Sequence, residues 1–375
     1  RVTPLSLKMA PLPVVATVSG FRTLSLLLVQ TDTNSPIIVT IGDGGTYWTN
    51  QTPQNIGPDI SARFQAVQVR MDNGDSYYYP NSEYAYAYIT GVPEMPAFFV
   101  YLTPENKIGG SVSWRCKIEY TRDSLSHTQY YPSNSWRDLP SKDVWFMNEE
   151  MGTDIRGGTA SFYCQLGGHI STYVMYVRGL NPEDSAAKGY IQSIDGVHWY
   201  AWAMGWHETI RDGNAYNQFN EAGTYANQPN RSDDTTGWGL FQIDSSSGVP
   251  ITADILWDWK NNADVAIGLL DDFKVEAQSY FNAIQRTYTN EYESPPATYT
   301  PPDTSTALTA TEAANIQLYN GAAVQTNLVN PYGGTSLYRS CWKFFPTNAS
   351  GYRWEFIPNE NDYVREVIQD YENNN

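Results

Sequence analysis

Basic residues are scarce in this chain: 23 lysines and arginines stand against 40 aspartates and glutamates, leaving a formal charge of -17. No basic stripe accompanies the aromatic residues, which excludes nucleic acid as a partner bound through its phosphates. The same acidity favours solubility and gives no attraction to anionic wall polymers. Cysteine is scarcer still, three in 375 residues, too few for a disulfide scaffold. No apolar run approaches the length that spans a bilayer, so no membrane span is expected. No His, Cys, Asp or Glu cluster has metal-ligand spacing, and neither a metal nor another cofactor is expected. No signal peptide is visible, and Arg1 in place of Met is what a processed or trimmed chain would show.

What the chain does hold is apolar and aromatic: 41% hydrophobic residues against 17% charged, with 28 Tyr, 13 Phe and 12 Trp. That balance argues against a disordered chain, and the length suffices for two or three domains. Aromatic rings in polar sequence suit stacking on sugar rings or packing in sheets, and composition does not choose between them.

From Arg1 to about Pro96, short apolar or alternating runs are broken by turn residues: Leu24 to Val29, Ile37 to Ile41 before Gly42-Asp43-Gly44-Gly45, and Phe64 to Met71 before Asn73-Gly74. Asn-Gly ahead of Tyr77 to Tyr79 is a hairpin signal, and residues 1–96 read as a β module. Residues 97–181 read as a second, sandwich-like β module. There Gly109-Gly110 leads into Val112, Trp114, Cys116, Ile118 and Tyr120, while Gly157-Gly158 leads into Ala160, Phe162, Cys164 and Leu166. Each cysteine shares a face with large apolar residues and points into a core. Facing strands of a sandwich could bring Cys116 and Cys164 within bonding reach, or the two could remain buried thiols. Cys341, far along the chain, is expected to stay free. Gly179-Leu180-Asn181-Pro182 breaks the last strand, and a helical pattern follows from residue 182.

Within residues 182–375, Val197, Ala201, Met204 and Glu208 lie three or four apart, so an apolar helical stripe ends on a carboxylate. Burial there would raise the acid's pKa and suit it to donate a proton. A half-exposed glutamate paired with Arg211 is the plainer alternative. Gly237 to Asp244 then combine a glycine-flanked tryptophan with apolar-polar alternation, the composition of a tight loop. Ile255, Trp259, Ile267, Leu270, Phe273, Ala277, Tyr280 and Ile284 mark one long buried helix. Glu293 to Ala307 forms a Pro-, Thr- and Ser-rich loop. Thr309 with Glu312 has capping-box form and opens a helix carrying Tyr319 and Asn320. The aromatic runs from Trp342 to Phe345 and from Tyr352 to Phe356 predict a hairpin. A last helix, capped by Asp362, carries Val364, Val367, Ile368 and Tyr371 on one stripe.

Glu208-Thr209, Gly237 to Gln242, Leu318-Tyr319-Asn320-Gly321-Ala322 and Tyr363-Val364-Arg365-Glu366-Val367, in that order, resemble the motifs of the goose-type lysozyme and lytic transglycosylase superfamily. Thr209 stands where that family usually has serine, and Phe241 where methionine is common. The resemblance implies a multidomain chain, all-β N-terminal modules followed by a mainly α lysozyme-like domain. It implies a peptidoglycan hydrolase that cleaves between N-acetylmuramic acid and N-acetylglucosamine with inversion, Glu208 acting as general acid. Asp244 and Asp233 match further acids of the goose-type enzymes, with Asp234 competing for the place of Asp233. An inverting pair leaves about 6.5 to 9.5 Å for a water. By the same resemblance Tyr319 holds the Glu208 carboxyl, while Gln242 and the loop residues Gly239, Leu240 and Phe241, with Thr209 and Asn320, bind the sugar. One alternative is a lytic transglycosylase, in which the glutamate serves as acid and then base and the product is an anhydro sugar. Another is a structural or docking component of a phage tail or injection machine. The implied setting is the bacterial cell wall, outside the cell or in the periplasm, with the β modules as contacts to a carrier.

Overall fold

The computed structural model describes residues 37–40, 46–49, 64–69, 86–102, 110–166, 169–194, 196, 198–209, 216–231, 236–287, 296–320, 342–347, 351–356, 358 and 362–375. These residues combine β-sheet with seven α-helices, and the chain divides into two compact units, 1–90 with 94–179 and 91–93 with 180–375. No helix among them is long and apolar enough to cross a membrane.

In the first unit, β1 (Ile37–Thr40) and β2 (Thr46–Thr49) form a hairpin. The strands β3 (Phe64–Val69), β4 (Tyr86–Ile89) and β5 (Ala97–Leu102) precede the long β6 (Ser111–Arg122), β7 (Leu125–Tyr131), β8 (Arg137–Pro140) and the short β9 (Trp145–Phe146). After the single-turn helix α1 (Asn148–Met151) come β10 (Gly158–Leu166) and β11 (His169–Gly179). One sheet runs β3-β5-β9; the larger runs β4-β11-β10-β6-β7, with β8 also on β6. The division expected at residue 96 is crossed twice, by β3 on β5 and by β4 parallel to β11, so both sides of it belong to one unit. The run Leu24 to Val29, the Asn73-Gly74 turn and the tyrosines from Tyr77 to Tyr79 lie outside the described residues.

The alternation read from sequence is realised: Val112, Trp114, Cys116, Ile118 and Tyr120 of β6 and Ala160, Phe162 and Cys164 of β10 are buried. They pack toward the smaller sheet through Phe98 against Phe162 (5.5 Å between ring centres) and Trp114 stacked on Trp145 (6.5 Å). The glycine opening β10 is required by this pairing, because a Cβ on Gly158 would lie 2.2 Å from the Glu119 carbonyl oxygen. Cys116 and Cys164 sit on adjacent strands of one sheet rather than on facing sheets. Cys116 is opposite Phe162 and Cys164 opposite Trp114, a diagonal relation, and both are free thiols whose pKa is raised by burial. Cys341 lies outside the described residues.

The second unit carries α2 (Asp184–Ile194), α3 (Ala201–Thr209), α4 (Ala253–Trp257), α5 (Trp259–Thr287), α6 (Ala310–Tyr319), the hairpin β12 (Trp342–Thr347) with β13 (Gly351–Phe356), and α7 (Tyr363–Asn374). The long helix expected from Ile255 onward is two helices. Thr252 caps α4 by accepting from Ile255 N, and Asp258, in extended conformation, accepts from Lys260 N at 2.9 Å and so starts α5 afresh. The capping box at Thr309 and Glu312 forms in both directions. Asp362 makes no side-chain cap; it is left-handed (φ 50°) and its carboxylate lies 3.4 Å from Arg365 instead.

Candidate active site

Helix α3 reaches the core as a nearly all-buried segment, Ala201 to Met204, and then meets the glycine-rich loop at Gly205. A Cβ there would lie 3.0 Å from the Phe241 ring and 3.1 Å from Leu240, so the absence of a side chain sets how closely loop and helix approach. One turn on, Glu208 points to α7, where the Tyr363 hydroxyl donates to its Oε1 at 2.5 Å. Burial raises the Glu208 pKa above the usual carboxylate range; the Tyr363 hydrogen bond and the charge of His207 pull it back, but by less. Its place in the last turn, beside the negative end of the helix dipole, acts in the same direction as burial.

The loop itself is a tight hairpin. Trp238 and Ile243 exchange two backbone hydrogen bonds of 3.0 Å, and Gly239 (φ 75°) and Gln242 (φ 49°) take left-handed conformations between them. Two buried amides hold it. Gln218 accepts from Leu240 N (2.9 Å) and donates to the carbonyls of Ile255 (2.9 Å) and Leu256 (2.8 Å). Asn262 accepts from Phe241 N (2.9 Å) and donates to the carbonyls of Trp238 (3.0 Å) and Ile255 (3.2 Å). The break between α4 and α5 thus has a use, since carbonyls freed at the end of α4 anchor the amides that grip the loop. Gly239 is fixed by the same clamp, as a Cβ on it would lie 2.4 Å from Asn262 Nδ2. Gly239→Ala is therefore expected to cost on the order of 1–3 kcal/mol in a denaturant titration, through clash and left-handed strain together.

The expected sugar-binding residues are placed unequally. The side chains of Thr209, Leu240 and Phe241 are buried, so these positions build the loop rather than present side chains to a ligand. Thr209 accepts from Asn217 N at 3.0 Å and ties the end of α3 to the following segment. Gln242 turns its Nε2 back to the Gly239 carbonyl at 2.7 Å. Asn320 is exposed at the end of α6. Tyr319 does not hold the acid by a hydrogen bond: its hydroxyl donates to the Phe241 carbonyl at 2.7 Å, and the hydroxyl on Glu208 belongs to Tyr363. Tyr319 still senses Glu208, since burial and then the Glu208 charge raise its own pKa.

Asp244 caps a single 3-10 turn, accepting from Ser246 N at 2.7 Å and from the Thr236 hydroxyl. Burial works against its ionised form, but the hydrogen bonds from Ser246, Thr236 and Ser245 outweigh it and lower its pKa. The charge that bears on Glu208 is that of His207, not Asp244. Asp233 and Asp234 lie outside the described residues, as does Arg211. Among the described residues no group of three His, Cys, Asp or Glu side chains is arranged to hold a metal ion.

Gln218, Asn262 and the hydroxyl of Tyr363 were not legible as site residues. A single buried amide, whether in a loop like Gln218 or on a helix like Asn262, leaves no periodic trace, and Tyr363 entered only as part of the C-terminal motif of the resemblance. No family model matches the chain, and neither does any curated protein or solved structure.

Proposed function

We propose that the second unit cleaves the β-1,4 bond between N-acetylmuramic acid and N-acetylglucosamine in peptidoglycan, as a lysozyme-like domain with Glu208 as general acid. The observation that carries this reading is a half-buried glutamate whose pKa is raised by desolvation, hydrogen-bonded by Tyr363 and set against a loop clamped by Gln218 and Asn262. A neutral carboxyl gives its proton to the glycosidic oxygen as the bond to the sugar breaks, leaving positive charge on the ring. In hydrolysis a water adds from the other face and loses its proton to a second carboxylate, the role assigned to Asp244, whose lowered pKa keeps it ionised. The β-rich first unit, in this reading sandwich-like, would attach the enzyme to the wall or to a phage or injection machine, outside the cell or in the periplasm.

One observation favours a lytic transglycosylase as second reading: the Asp244 carboxylate is already engaged in capping the turn after the loop. Glu208 would then take back a proton from the sugar's own 6-hydroxyl as that oxygen attacks. Asp244→Asn separates the routes, since asparagine caps a turn as well as aspartate but cannot serve as base. For the hydrolase we expect a loss of about 10²-fold or more, and reducing-end muramic acid in mass spectra of digested sacculi. Unchanged activity with anhydromuramic products would select the second reading. No cleavage by the wild-type chain would refute both.

A further inference from the structure

The proposed chemistry uses Glu208, the loop and its clamps, and leaves His207 without a role. Yet His207 is where α7 grips α3. Its Nδ1 lies 2.8 Å from Asp370 Oδ2, its Nε2 lies 3.5 Å from Glu366 Oε2, and its ring stands edge-on to Tyr363 at 5.1 Å. Tyr363, Glu366 and Asp370 are spaced three and four residues apart and so share one face of α7. That face also delivers the Tyr363 hydroxyl to Glu208, the neighbour of His207 in sequence.

An imidazole donates from both nitrogens only when it is protonated, and two carboxylates placed one at each nitrogen select that form. Burial opposes it, but the Asp370 hydrogen bond and the charges of Glu208, Asp370 and Glu366 overcome burial and raise the His207 pKa. The other groups near this corner have different tasks. Tyr319 of α6 bonds the Phe241 carbonyl, Tyr216 bonds the Trp202 carbonyl, and Lys188 of α2 lies on the Trp202 ring and on the Asn374 carbonyl.

We propose that His207 is a positioning residue for the acid: gripped by Asp370 and Glu366, it fastens α7 to the last turn of α3 so that the Tyr363 hydroxyl stays on the Glu208 carboxyl. With the clasp closed, Glu208 keeps one fixed donor and one adjacent cation. With it open, the first turn of α7 is free to shift and the carboxyl loses both. The inference rests on Glu208 being the general acid, and it adds a regulator of that acid on the C-terminal helix.

The test uses the full chain as wild type, His207→Gln, Asp370→Asn and the double variant. Asp370→Asn keeps the shape but removes the charge that favours the doubly donating imidazole, so it loosens the clasp even where the histidine change disturbs folding. On peptidoglycan, each single variant is expected to lower kcat about tenfold with KM within about twofold. The double variant should fall no further than the worse single one, because both changes open the same contact. Independently of turnover, NMR titration of the carbon-13-labelled Glu208 carboxyl should move to higher pH in His207→Gln, since a neighbouring cation is lost. Additive kinetic losses, or a Glu208 titration unmoved by His207→Gln, would overturn the proposal. Failure of the wild type to cleave peptidoglycan would instead refute the functional reading, and the carboxyl titration would still decide the clasp.

Discussion

Glu208→Gln is expected to abolish glycan cleavage and at the same time to stabilise the protein at neutral pH. The amide keeps the shape and still accepts from Tyr363, but it has no proton to give, and positioned acids contribute about 10²- to 10⁴-fold to rate. The stability effect follows from the direction of the Glu208 shift. Burial raises the folded-state pKa above its unfolded value, so between the two values the folded state binds more protons. Stability then falls as pH rises through that window, and the cost of ionising this desolvated carboxyl is present in full above it. Glutamine is neutral throughout, which removes both the cost and this part of the pH dependence. Thermal melting of the two proteins from pH 4 to pH 8 checks it: the curves should be close at the acid end, with the variant melting higher at the neutral end. A variant that melts lower at pH 7 would mean that Glu208 is ionised at no cost, which removes the physical basis for its role as acid.

The place of Glu208 at the end of α3 was legible because a helix with an apolar stripe announces its own buried face, here through Ala201 and Met204, and the carboxylate ends that stripe. The alternation in β6 and β10, the capping box of α6 and the β12–β13 hairpin were legible for the same reason: each is a local pattern with a local cause. What sequence could not supply was the pairing of distant polar atoms. Two tyrosines near one acid compete for it, and only the approach of α7 to α3 decides that Tyr363 donates to Glu208 while Tyr319 serves the Phe241 carbonyl. The break at Asp258 was missed because apolar spacing continues through it, whereas a single carboxylate accepting from Lys260 N is enough to restart the helix. The pairing of β3 with β5 and of β4 with β11 across residue 96 was not legible either, since such strands meet only in three dimensions.

Gln218→Leu should have the largest effect on stability of any change that leaves the acid intact. Gln218 is fully buried and completes three hydrogen bonds, to Leu240 N and to the carbonyls of Ile255 and Leu256. Leucine fills a similar volume with no polar atom, so an amide N–H is stranded without a partner and the end of α4 loses its donor. Each stranded buried group costs about 1–3 kcal/mol, and with Ile255 still served by Asn262 the sum is on the order of 3 kcal/mol. Activity should fall as well, since the loop that Gly205 admits against α3 then loses one of its two clamping amides. Asn262→Leu is expected to act alike, and because the two amides share the Ile255 carbonyl and one loop, their effects should couple rather than add. Chemical denaturation of the single and double variants measures this. A Gln218→Leu protein as stable as the wild type would show that the loop stands without its clamp, and the acid would then owe its setting to α3 and α7 alone.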